Sequence, residues 1–167
     1  MKADDKFLVA IVGGILLVVA VTFVAVLRRP PPTFTEENTA ASVAHNYLLA
    51  LRQQDYVRAY GYLSPSLKGY PSSAEAFVEN IRSHKYSVAV DDDSVTLEID
   101  SSRRLGMVIE TEAVSVRETH FYGGGLLNSN QYSSSFEMEL QRENGAWKII
   151  SSDRYFIQCW TDKTGCK

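Results

Sequence analysis

The sequence predicts an α+β protein: an N-terminal transmembrane helix, then a domain built from helices first and an antiparallel sheet second. Three observations carry this. Phe7–Leu27 is an uninterrupted uncharged apolar run. Between Val43 and Ile81 apolar side chains recur at helical spacing. From Tyr86 onward the period is two, punctuated by turn formers, which places the strands after the helices.

The apolar run reads FLVAIVGGILLVVAVTFVAVL. At 1.5 Å rise per residue it reaches about 31 Å, the thickness of a bilayer's hydrocarbon core. A cleaved secretory signal has a shorter core and a small-x-small site, whereas Val26-Leu27-Arg28-Arg29 offers neither. The expected organisation is a short tail (1–6), a transmembrane helix (7–27), a Pro-rich linker (28–37), an α+β domain (38–157) and a C-terminal tail (158–167). Lys2 and Lys6 on one side balance Arg28 and Arg29 on the other, so the positive-inside count is even. Pro30-Pro31-Pro32 favours a stiff, extended spacer.

Cys159 and Cys166 bracket a run of turn formers. A bridge between them would contribute about 2–3 kcal/mol by the chain-entropy estimate and requires an oxidising compartment. The other reading is two free thiols on a frayed tail. The bridge is favoured, and it tips the domain towards the extracytoplasmic side of a cell membrane. No histidine lies close by, so the pair is not expected to bind a metal.

The first helix of the domain is expected after Thr35, with Glu36 and Glu37 in its first turn. Its apolar face holds Val43, Ala44, Tyr47, Leu48 and Leu51, and His45 falls on the solvent side. Asp55 caps a second helix, Tyr56 to Leu63, with Tyr56, Ala59, Tyr60 and Leu63 in its buried stripe. Ser72 and Glu75 have capping-box spacing for a third, with Phe77, Val78 and Ile81 on its apolar side. Strands are expected at Tyr86–Val90, Val95–Ile99 and Met107–Val116, with turns at Asp91–Ser94 and Ser101–Arg104. The apolar parity changes inside Met107–Val116, which a bulge would explain. Tyr122–Gln131 is a Gly-rich loop, Phe136, Met138 and Leu140 alternate, and Asn144-Gly145 is a tight-turn signal. The last strand begins at Trp147 and is expected to run towards Phe156.

Ala44-His-Asn-Tyr-Leu-Leu-Ala-Leu51, Asp55-Tyr-Val-Arg-Ala-Tyr60, Leu63-Ser-Pro65 and the closing Phe136 to Ile149 stretch resemble the nuclear transport factor two-like superfamily. The resemblance spans residues 38–157. It implies a cone, a bent sheet wrapped by three helices with a cavity at the wide end. It includes membrane-anchored bacterial members, isomerases and dehydratases, and extracytoplasmic domains of secretion machinery. Fold alone does not choose among these roles.

Relatives that catalyse place acid–base residues inside the cone. Asp153 shares parity with Trp147 and Ile149, so it is the candidate base, and Tyr47, Tyr56, Tyr60 and Trp147 are candidate cavity residues. No Ser-His-Asp or metal-ligand spacing links the histidines. Gly123-Gly124-Gly125 lacks the Lys-Ser/Thr of a phosphate loop. Leu126 and Leu127 within it are candidate partner contacts. The net charge is −3 with no long basic run, which argues against nucleic acid as a partner. The expectation is therefore a non-enzymatic accessory or scaffold protein, without cofactor or metal, whose partners are the lipid bilayer and a protein in a membrane complex. The alternatives are a cone that binds a small molecule or lipid, an isomerase- or dehydratase-like enzyme, and a component of a secretion assembly.

Overall fold

A computed structural model of the chain describes residues 3–27, 32–88, 90, 94–106, 108–122 and 130–166, with the side chains of all of these except 3–10 and 25–27. The chain divides into two compact units, Met1–Thr33 and Phe34–Lys167.

Among the described residues the first unit holds one helix, α1 (Ala3–Leu27), 25 residues long. Its side chains are described over 11–24, and the large apolar ones there, from Ile11 to Val24, are exposed. Among the described residues no helix is long and apolar enough to cross a membrane. Arg28, Arg29, Pro30 and Pro31 lie outside the described residues.

Among the described residues the second unit has four α-helices, α2 (Ala40–Arg52), α3 (Tyr56–Tyr62), α4 (Ala74–Ser83) and α5 (Lys85–Val88), followed by four strands, β1 (Val95–Gly106), β2 (Thr111–Tyr122), β3 (Asn130–Glu143) and β4 (Ala146–Ser152). The strands form one antiparallel meander in the order β1-β2-β3-β4. Helix α2 packs across all four strands, α3 lies against α2 and β4, and α4 against α3.

The first domain helix starts later than expected. Thr39 and Ser42, not Thr35, form the capping box, each side chain accepting from the other's backbone N–H at 3.1 Å. Thr35 is held instead by buried Asn46, whose Oδ1 accepts from its N–H and whose Nδ2 donates to its carbonyl, both at 2.8 Å. Asp55 caps α3 as expected, accepting from the Arg58 N–H at 3.1 Å. The cap of α4 is Ser73, one residue beyond Ser72, accepting from the Ala76 N–H at 3.2 Å. Tyr86–Val88, expected as strand, is the short helix α5.

The long strand expected at Met107–Val116 is two strands and the turn between them. β1 continues through Ser101–Arg104 to Gly106, and β2 begins at Thr111. The parity change therefore marks a hairpin and not a bulge. The Asn144-Gly145 turn is as expected, with φ of 51° and 86°, the left-handed pair that a two-residue hairpin of this hand requires. The Asp91–Asp93 part of the predicted turn lies outside the described residues.

Helices and sheet enclose a core in which Tyr47, Phe77, Met138, Leu140, Ile149 and Trp160 are fully buried. Two corrections concern the domain's ends. Phe34, read as linker, packs against this core. Trp160, read as tail, sits within it, on a 3-10 turn (Gln158–Thr161). Its ring stacks on Phe77 at 5.1 Å and meets Phe156 edge-on at 5.0 Å. Cys159 and Cys166 are joined in a disulfide, with Cα atoms 5.1 Å apart.

Gly69 shows how tightly the C-terminal segment is held. A Cβ there would press on the Cys159 carbonyl oxygen and come within 2.7 Å of the Asp162 oxygen and 3.0 Å of Gly165 Cα. All three are backbone atoms, so no side chain can swing aside. Gly69→Ala is expected to destabilise the domain by about 1–3 kcal/mol, the cost of overpacking. Urea denaturation checks this; an unchanged midpoint would show that the terminal segment is not fixed against Gly69.

Candidate functional site

One row of β2 decides the character of the domain's open end. Val114 and Val116 face the core, and the same parity continues to Glu118 and His120. The apolar stripe thus runs into a buried carboxylate. Pairing puts Glu118 between Leu97 of β1 and Ser134 of β3, and His120 beside Val95 and Tyr132.

Glu118 meets three side chains. The Tyr155 hydroxyl donates to Oε1 at 2.6 Å, His120 Nε2 lies 3.2 Å from the same oxygen, and Arg154 pairs with Oε2. A carboxylate this buried is stable only with such partners. Tyr155 holds a backbone conformation unusual for a bulky residue, with φ of 56°. Its surroundings over-determine it: the hydroxyl is on Glu118, the ring tilts against Phe136 at 5.5 Å, and its carbonyl accepts from the Tyr47 hydroxyl at 2.7 Å. The Ser134 hydroxyl, opposite Glu118, is buried without a hydrogen-bond partner.

Glu118, His120, Arg154 and Tyr155 line an open cleft of about 500 Å³ that Val95, Tyr86 and Phe156 complete on its apolar side. Chemically, it holds a histidine beside a buried carboxylate. Proton-transfer catalysis needs a second group facing the same space. Arg154 and Tyr155 are spent on Glu118, Asp153 accepts from the Glu137 N–H at 3.2 Å, and Gln158 donates to the Ser152 carbonyl at 3.3 Å. Among the described residues no group of three or more His, Cys, Asp or Glu could hold a metal ion.

The predicted site residues do not converge. Asp153 is exposed on the cleft rim and does not face the core. The reason is a register shift opposite Glu139 and Leu140, which pairs Ile149 with Leu140 but Ser151 with Glu139. The skipped residue reverses parity, so Ser152, not Ser151 or Asp153, follows Ile149 inward. Tyr47 is sealed in the core. Tyr60 donates to the Pro71 carbonyl at 2.9 Å and stacks on Tyr70 at 5.1 Å. Tyr56 lines a separate 230 Å³ pocket beside Ile81 and Val88. Trp147 is buried and borders a 710 Å³ groove with Phe34, Arg58 and Tyr62. His45, placed on the solvent side from its spacing, is half-buried. Leu126 and Leu127 lie outside the described residues. Glu118, Arg154 and Tyr155 were not singled out from the sequence, although the Val114-Val116-Glu118 alternation already carried the carboxylate inward.

The groove at Trp147 contains a pH-dependent group. The Tyr62 hydroxyl donates to Glu37 at 2.7 Å. Burial first, then the bond and charge of Glu37, push its pKa up to about 12. In the unfolded chain it ionises near 10, so above that pH the folded state holds the extra proton. The stability this supplies is complete below about pH 10 and is lost as pH rises through 12. Tyr62→Phe is expected to flatten the fall in denaturation midpoint between about pH 10 and pH 12. Identical alkaline profiles for the two proteins would contradict this reading.

The geometry defines a two-layer α+β domain with a buried apolar core and a carboxylate–histidine cleft. No family model matches the chain, and no curated protein does. Among solved structures it is similar to an NTF-2 like protein of unknown function from Shewanella oneidensis MR-1, with 10% identity over 66% of this chain and 90% of that chain and a TM-score of 0.41. It is also similar to Aln2 from a Streptomyces species, with 13% identity over 76% and 94% and a TM-score of 0.45. A third is Rv3472 from Mycobacterium tuberculosis, of unknown function, with 12% identity over 86% and 83% and a TM-score of 0.43.

Proposed function

We propose that this chain is a single-pass membrane-anchored accessory protein whose extracytoplasmic domain binds a protein partner in a membrane complex. The observation that carries the proposal is the surface of α1. Ile15, Leu16, Leu17, Val18 and Val19 are consecutive and all exposed, so the helix is apolar all round. A polar face would be required in water, whereas lipid accepts such a helix because its backbone groups are satisfied internally. The Cys159–Cys166 bridge supports an oxidising compartment for the domain. The prior engagement of the cleft's polar groups supports a role in binding over chemistry. Affinity purification from detergent-solubilised native membranes, after mild cross-linking, tests the proposal. A reproducible stoichiometric protein partner is expected; isolated monomers alone would refute it.

The cleft favours a second reading, a site for a small polar molecule that hydrogen-bonds to His120. On this reading His120→Ala abolishes ligand-induced shifts in the cleft resonances, and a screen against the full chain in micelles would find them. The isomerase- or dehydratase-like alternative would require a second proton-transfer group beside His120.

A further inference from the structure

We infer that the β1–β2 hairpin is a second membrane contact, its tip entering the interface of the bilayer that holds α1. The inference rests on the anchored reading above.

Connections in a meander alternate between the two ends of the sheet. The β1–β2 and β3–β4 turns therefore share one end, and the Arg142 side chain and N–H fix them together, reaching the Glu110 carboxylate at 3.1 Å and its carbonyl at 2.8 Å. The Glu118–His120 cleft, near the far ends of β2 and β3, lies at the other end. Phe34, the first residue of the folded unit, shares a groove with Ala146, Trp147 and Lys148 at the start of β4. The chain thus enters the domain at the end that carries the β1–β2 tip. Residues 28–33 separate this entry from α1, and six residues extend at most about 20–22 Å. On the anchored reading, a tether this short gives the tip a high effective concentration at the bilayer.

The tip is built for such a surface. Val108 is 100% exposed, Ile109 56% and Leu105 42%. Tight turns ordinarily use Gly, Asn, Asp, Pro or Ser, and nothing in their chemistry calls for aliphatic side chains at the apex. Arg103 and Arg104 stand directly behind, largely exposed, facing Glu137 at 3.0 Å and Glu110 at 3.8 Å. The carboxylates leave part of each guanidinium open to lipid phosphates. Aliphatic groups at the tip with long cationic side chains behind them match the acyl boundary and the headgroup layer in that order. The occupant is the lipid surface, and anionic headgroups are expected to strengthen the contact only modestly because of the two glutamates.

The test uses the full chain in vesicles of phosphatidylcholine with and without phosphatidylglycerol. Val108→Cys carries an environment-sensitive fluorophore; the native cysteines are bridged and do not label. Tyr132→Cys, exposed near the cleft, is the control. A blue-shifted emission at 108, quenched by lipids with brominated acyl chains, with neither effect at 132, is expected. Water-like emission at 108 in protein that resists alkaline carbonate would overturn the inference and leave the anchor intact. A shift in native membranes but not in pure lipid would also overturn it, in favour of a protein partner at the tip. Release of the chain by carbonate would sink the anchored reading and this inference together.

Discussion

Replacing Trp160 with alanine is expected to cost about 3–5 kcal/mol of stability, the range for deleting a fully buried large aromatic side chain. Trp160 is the largest wholly buried side chain of the core, and it does three things there. It stacks on Phe77 of α4, abuts Phe156, and its Nε1 donates to Asn80 Oδ1 at 3.0 Å. Alanine removes the contacts and also strands the Asn80 acceptor. A domain of this size has a total stability of about 5–15 kcal/mol, so the loss is a large fraction of it. Trp160→Phe keeps the stacking surface and should cost about 1–2 kcal/mol, mostly the lost hydrogen bond. Urea denaturation of the two variants measures the difference. Equal midpoints for alanine and wild type would mean that the C-terminal segment is not part of the core.

Glu118→Ala is the second large effect, expected at about 2–3 kcal/mol. Deleting the carboxylate leaves the Tyr155 hydroxyl without its acceptor and Arg154 without its counter-charge. The loss falls below that of a wholly buried ion pair because Arg154 is half exposed and can turn to water. Tyr155 also loses the bond that helps to hold its left-handed backbone. Glu118→Gln keeps the shape and one acceptor oxygen and should cost less, about 1 kcal/mol. Thermal denaturation ranks the three proteins; alanine no worse than glutamine would show that the cluster contributes nothing beyond packing.

Much of the fold was legible in the sequence because the period of apolar residues is set by geometry. Tyr47, Leu48 and Leu51 mark the buried face of α2, and Phe136, Met138 and Leu140 that of β3, because each run is long enough to fix its period. Errors fell where the signal was short or two signals competed. Ser72 and Ser73 both precede Glu75 at plausible capping distances, and only the path of the entering chain selects Ser73. Tyr86–Val88 is too short to separate a helical turn from an alternating strand. The β1–β2 hairpin was hidden because its turn carries Val108 and Ile109 while turn-forming Ser101 and Ser102 lie within β1. Asp153 was misplaced by one register shift, which propensity does not reveal. The site was less legible than the fold. Glu118 was reachable from the Val114-Val116 alternation, but Arg154 and Tyr155 join it only through the bend after β4, a tertiary fact.

The account turns on whether lipid holds α1. Washing native membranes with alkaline carbonate, then probing pellet and supernatant for the intact chain, measures this directly. Retention in the pellet, with release only by detergent, is the predicted result. Recovery of the full-length chain in the carbonate supernatant would contradict it.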